Sequence, residues 1–348
     1  MSLLTSLISH QIWLQRTASG EVKDLAPFIQ EMRDEIKRQV LLFGDDGRST
    51  RRLNKLLRDL EEALTGLTGD WQTKLTEDLK ELAAYEAEWN VKTLTANVDA
   101  EFVTPTAEQV WAAAEFQPLS LSDKPVDFTK LMSGWGETEV ARLVTGVKMG
   151  FVQGKTTQQI VTEVVGKGGL ADVSEKYAAT VIRTALSHVS NEARNETYRQ
   201  NDDIIEKYEW VSTLDSRTST ICRARDGMTW EIGKGPMPPA HPNCRSTTAP
   251  VISSEFDFLD KGAKRAAKGA GGGTQVSADT TYYEFLKQQP AWFQDQALGP
   301  VRGKIFRNSG ISPEEFRVIS VDGFGNPLTL KQMAELDKRV ADYLKGEE

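Results

Sequence analysis

Apolar residues recur every three or four positions through most of the first hundred residues. A chain with that spacing gathers them on one side only by coiling into helices. From Val22 the series runs Leu25, Ile29, Met32, Ile36, Val40 and Phe43. A polar Gly-Asp-Asp-Gly-Arg run over Gly44–Arg48 is expected to end that helix, since Asp and Gly favour turns. A second series carries Leu53, Leu56, Leu57, Leu60, Leu64 and Leu67, with Gly66 and Gly69 punctuating its end. A third carries Trp71, Leu75, Leu79, Leu82, Tyr85 and Trp89. Short breaks favour antiparallel neighbours, so residues 1–98 are expected to form a helical bundle or hairpin that acts as a docking module. No constellation of His, Cys or paired acids stands out in it.

Residues 99–135 carry Pro105, Pro118 and Pro125 and read as a connector. Helices are expected over Glu137–Gly150 and Thr157–Val165. A third, long one opens at Asp172-Val-Ser-Glu175, which has capping-box spacing, and carries Ala178, Val181, Ile182, Ala185, Leu186, Val189 and Ala193. Tyr208–Val211, Met228–Ile232 and Thr247–Ile252 read as strands, Asp215–Arg225 as a short helix and Gly235–Pro242 as a Pro-rich loop. The intervening elements are too short for parallel crossovers, so residues 136–254 predict an α+β domain with a small antiparallel sheet. Residues 255–278 read as a flexible Gly/Lys-rich linker. Residues 279–348 read as a mostly helical C-terminal region, with capping boxes at Ser312 and Thr329.

Charge and cysteine content exclude several classes. Lys and Arg number 42 and Asp and Glu 50, a net charge of −8. That balance argues against a protein that coats nucleic acid, because such binding needs clustered cations. No apolar run reaches the roughly 18–20 residues that span a bilayer. Residues 1–15 lack the basic start of a signal peptide. Two cysteines exclude a disulfide scaffold and fit synthesis in a reducing cytoplasm. Gly154-Lys-Thr156 invites a phosphate-loop reading, but Met149 stands where that loop needs its first glycine and a helical pattern precedes it.

The chemistry concentrates between Trp210 and Pro250. Cys222, His241 and Cys244 are spaced C-x18-H-x2-C, and a tight H-x2-C pair lets two ligands converge from one turn. Thiolates and imidazole are the donors zinc prefers; a fourth ligand would have to be Asp215, Asp226 or His188. The same residues also fit buried thiols, a disulfide formed outside the cytoplasm, or a Cys–His nucleophile. Asp215 is placed to cap the following helix, leaving Arg217 on its first turn to meet a carboxylate or phosphate. Pro239 and Pro242 hold His241 in a rigid loop.

The string from Trp210 to Gly227, followed by Pro238-Pro-Ala-His-Pro-Asn-Cys-Arg-Ser246, resembles the phage Mu F-like head morphogenesis (minor head protein) family. Asp215, Arg217, Thr218, Cys222, Gly227, Pro239, His241, Cys244 and Arg245 match its pattern, and Val181-Ile-Arg183-Thr184 looks like its helix motif. Tyr282–Leu286, Gln294 and Leu298–Arg302 are similar to a tail that often follows, so the resemblance spans residues 137–330. Ser219 and Ser246 stand where many members carry Cys, and Ala185 replaces an acidic residue. The resemblance implies a non-enzymatic minor head protein of a tailed phage, made in the host cytoplasm and located in the virion near the portal vertex. It implies the portal protein and other head proteins as partners, local contact with packaged DNA during packaging or ejection, and no membrane contact. No cofactor is expected, zinc being the one metal that Cys222, His241 and Cys244 would take. Two other readings stand beside it: a metal- or thiol-dependent hydrolase built on those three residues, and a DNA-contacting ejection protein using Arg217 and the basic Lys261, Lys264, Arg265 and Lys268.

Overall fold

The computed structural model describes residues 2–45, 49–121, 124–252, 262–323 and 325–346. The chain opens with helices α1 (Leu3–Asp24), α2 (Ala26–Phe43) and α3 (Thr50–Asn97). The first helix thus begins well before Val22, with the Ser2 hydroxyl capping it by accepting the Thr5 N–H. The expected second and third helices are one 48-residue helix, α3. Gly66 and Gly69 lie on its exposed side, while Leu64, Thr68 and Trp71 remain on the buried stripe. Tertiary burial along that stripe outweighs the roughly 1 kcal/mol that each helical glycine costs.

Residues 99–135 are not a plain connector. They hold α4 (Ala107–Phe116), a two-stranded hairpin of β1 (Leu119–Leu121) and β2 (Lys124–Val126), and the start of α5 (Phe128–Val152). Helix α6 (Thr157–Val165) has the expected bounds. Helix α7 (Leu170–Arg199) starts two residues before Asp172, which does not cap it. Asp172 instead sits in the first turn, where its carboxylate accepts the Gly168 N–H at 2.6 Å and an Arg33 N–H at 2.6 Å.

The remaining elements are β3 (Ile205–Val211), α8 (Thr220–Arg225), β4 (Thr229–Glu231), β5 (Thr247–Ile252), β6 (Lys264–Gly269) and β7 (Gly272–Ser277), then six short helices. These are α9 (Tyr282–Lys287), α10 (Ala291–Leu298), α11 (Pro300–Asn308), α12 (Pro313–Ser320), α13 (Leu330–Leu336) and α14 (Lys338–Gly346). Strands β4-β3-β5 form an antiparallel sheet with β3 central, Tyr208 lying opposite Trp230 on one side and Pro250 on the other. The fold is α+β: mostly helical, with small antiparallel sheets. The expected flexible linker is a correction. Its part within 255–261 lies outside the described residues, but Lys264–Ser277 is a paired hairpin whose glycines fall at and beside the turn, with Gly272 at φ +103°. Its Arg265 is buried.

The N-terminal helices are not a separable module either. One apolar core runs from Leu14, Ile29 and Ile36 through Leu60, Leu75 and Val147 to Ile182 and Val189. The stripes that suggested a docking surface are therefore consumed in packing α1–α3 on α4–α7. A second core, around Tyr283, Phe306 and Phe316, holds α9–α14 and reaches Leu214 and Ala267. Among the described residues no helix is long and apolar enough to cross a membrane.

Candidate functional site

Strand β3 and the α8 loop carry the first half of the site. Trp210 is fully buried with Cys222, Ala240 and Cys244 around it. Cys222 lies in the first turn of α8, which is capped by Ser219 rather than Asp215. Asp215 holds the preceding loop: its carboxylate accepts the Arg217 N–H at 2.9 Å and the Thr218 hydroxyl at 3.2 Å. The same hydroxyl also meets the Thr213 carbonyl. Gly227, at φ +78°, turns the chain from α8 into β4 and donates its N–H to the Trp210 carbonyl at 2.9 Å.

The Pro-rich loop carries the second half, with a cis peptide between Pro238 and Pro239. His241 and Cys244 lie on one turn, closed by the Cys244 N–H donating to the His241 carbonyl at 3.1 Å. The His241 Nε2 is 3.3 Å from the Cys222 Sγ, and the two sulfurs are 3.7 Å apart. All three donor atoms lie within 4.8 Å of one another. The two thiols polarise each other. Their mutual hydrogen bond pushes Cys222 well up and Cys244 well down, with burial adding to the rise at Cys222 and His241 favouring the thiolate at Cys244. Burial works against protonation of His241, but the thiolate beside it turns its net shift upward.

None of the expected fourth ligands joins them. Arg245 clamps Asp215 at both oxygens, at 2.6 and 2.8 Å. Burial alone would raise the Asp215 pKa; Arg245 overrides it and leaves the net shift downward. Asp226 is locked on Arg265, the pair almost wholly buried at 2.9 Å. His188 lies in the helical core, its Nε2 2.8 Å from the Ala114 carbonyl. Thr218, Ser219 and Ser246 instead border a cavity of about 30 Å³ that also touches Cys222 and His241. Two thiols and an imidazole at these separations fit three of the four positions of a zinc ion, and no fourth His, Cys, Asp or Glu joins them among the described residues, so a water would complete it.

Arg183 lies on the exposed side of α7 and faces the same cleft as Arg217, His241, Cys244 and Arg245. The site thus gathers every residue of the sequence motif except Gly227 and Pro239, which shape its loops. Local sequence signals do not reveal the Asp226–Arg265 pair, because Arg265 lies in a Gly/Lys-rich stretch that reads as a linker. Nor do they reveal α1, which supplies the facing wall and whose Gln11 amide donates to the Arg245 carbonyl at 3.3 Å.

Residues 140–249 match the family model described as Phage Mu protein F like protein. The match runs from α5 to β5 and contains the whole Asp215–Arg245 loop system, which bears out the resemblance. It covers less than the resemblance drawn from residues 137–330. No curated protein and no solved structure matches the chain.

Proposed function

We propose that the chain is a minor structural head protein of a tailed phage, incorporated near the portal vertex during head morphogenesis and acting also in DNA packaging or ejection. The observation that carries this reading is the match of residues 140–249 to the Mu F-like family. The chemistry of the site agrees with a structural role. Both carboxylates beside the Cys-His-Cys group are engaged by guanidinium groups, which leaves neither as a general base for the hydrolase reading. Partner proteins would meet the outer, charged faces of α2 and α3, since their apolar stripes are internal. Mass spectrometry of purified virions should find the protein at low copy, and tagged portal protein should retain it in pull-downs. Absence from virions together with no portal binding would overturn the reading.

Within that role, Cys222, His241 and Cys244 would hold a zinc ion that ties α8 to the Pro-rich loop. The ejection reading loses its basic linker, because Lys264, Arg265 and Lys268 belong to a folded hairpin and Arg265 is spent on Asp226.

A further inference from the structure

Two large aromatic side chains stand open side by side where α1 lies against α3. Trp13 is 40% and Tyr85 45% exposed, and their ring centroids are 5.1 Å apart. The inner half of the cluster is fixed. His10 stacks on Trp89 with centroids 3.6 Å apart and on Trp13 at 4.9 Å, and its Nε2 meets the buried Glu86 carboxylate at 2.5 Å. Single exposed apolar side chains are ordinary on a protein surface, but two adjoining rings held by a buried stack form a rigid platform. Glu81 and Glu88, four residues before and three after Tyr85, share its face of α3. Both are exposed, and neither has a hydrogen bond or ion pair among the described residues. Lys92 lies a turn beyond Glu88 and does not pair with it. The residues a turn to either side of Trp13 are Ser9 and Thr17, small enough for a partner backbone to approach the ring.

We infer that this face docks a basic segment of another head protein through an Arg or Lys side chain, an inference that rests on the head-protein reading above. The faces of Trp and Tyr rings carry negative charge density, and two free carboxylates add to it. The patch therefore matches a cation with an apolar body. A guanidinium plane suits it best, since it can lie on a ring and donate to Glu81 or Glu88 from its edge. A purely apolar partner fits less well, because closing over the rings would strip water from two unpaired carboxylates. Acidic peptides, nucleic acid and anionic lipid are repelled by the same groups. Trp, Tyr and Arg dominate the decisive centres of protein interfaces, and rings already fixed lose little freedom on binding. The platform lies outside residues 140–249, and neither ring lines the clefts beside the Asp215–Arg245 loops, so a partner seated on it leaves those loops uncovered.

The test replaces Tyr85 with the photo-crosslinking residue p-benzoylphenylalanine in the full chain, supplied in trans to a phage deleted for the gene. Irradiated particles are expected to yield a cross-link to a different head protein, with Arg or Lys within a helical turn of the linked residue. Glu81→Lys with Glu88→Lys should lower the copies per particle at least about tenfold. Its melting temperature should stay unchanged, because both side chains are exposed and unpaired. Glu61→Lys with Glu62→Lys, exposed elsewhere on α3, should leave incorporation unchanged. Changing the partner's linked Arg or Lys to Glu should restore incorporation of the chain carrying Glu81→Lys and Glu88→Lys. Three results would each overturn the inference: no cross-link in particles that hold the protein, a cross-link to a segment without Arg or Lys or to a second copy of this chain, or normal incorporation with Glu81→Lys and Glu88→Lys. Absence of the unmodified protein from particles would overturn the head-protein reading, and this inference with it.

Discussion

Buried ionisable groups decide what the site residues do. The Asp226 carboxylate accepts from Arg265 at 2.9 and 3.1 Å and from the Ser212 N–H at 2.7 Å. Arg265 donates in turn to the Ser212 carbonyl. Truncating one partner of so buried a pair strands the other charge, so Asp226→Ala is expected to cost about 3–5 kcal/mol in urea unfolding. His188 is a separate case. Burial in the helical core holds it neutral and lowers its pKa from 6.5 to about 4. The unfolded chain then binds the proton more readily, so stability from this residue is full above pH 6.5 and is lost as pH falls from there toward 4. Between pH 7 and 4.5 the loss is roughly 2.5 kcal/mol, and His188→Gln should flatten the denaturation-versus-pH curve by that amount. For the Cys-His-Cys group, plasma mass spectrometry of protein from zinc-supplemented cells should find about one zinc per chain, and Cys222→Ser should remove most of it. Less than a tenth of an equivalent in the wild type would exclude zinc there. The identities of these donors were legible in the sequence. What was not legible is that Asp215 and Asp226 are withheld from the Cys-His-Cys group, because Arg245 and Arg265 reach them from 30 and 39 positions away.

Among the elements, α3 and the β6–β7 hairpin differ most from what local signals imply. Gly66 and Gly69 resemble a helix end, yet a Cβ at either would meet nothing within 4 Å and both lie on the outer face. Buried neighbours hold the helix there: Thr68 packs on Gly136 of α5, and Trp71 meets Trp135 edge-on with centroids 4.5 Å apart. The double substitution of Gly66 and Gly69 by Ala is therefore expected to stabilise the chain by about 1–2 kcal/mol, read as a rise in melting temperature. The hairpin shows the opposite error. A Gly-rich basic stretch matches linker composition, but its alternation puts Arg265 and Ala267 inward while Lys264 and Lys268 face solvent. That two-residue period is visible in the sequence. It is short, and the Gly-rich, basic composition around it masks it.

At the scale of the whole molecule, α1 ties the N-terminal helices to the Mu F-like segment. His10 meets Glu86 of α3 at 2.5 Å inside the protein, and Glu86 also accepts from Ser190 of α7 at 2.8 Å. Near the helix start, the Thr5 hydroxyl donates to the Lys264 carbonyl at 2.9 Å. Residues 136–254 expressed alone would expose Ile182, Leu186 and Val189, which the shared core buries. That fragment is expected to bind hydrophobic dye and unfold without a cooperative transition, while the full chain unfolds cooperatively. A sharp transition in the fragment would show that the Mu F-like segment folds independently of α1–α3.

The sequence by itself determined the helical period of the N-terminal third, the three strands of the central sheet, the caps at Ser312 and Thr329, and the motif that marks the Mu F-like segment. These are local signals, set by side-chain periodicity and by hydrogen bonds spanning three or four residues. Only the tertiary structure decided that the docking stripes are internal, that the supposed linker is a strand pair, and that Arg16 stands across a groove from Arg183, Arg217 and Arg245. Those outcomes depend on which distant surfaces pack together, and burial is a property of the packed pair rather than of either segment alone.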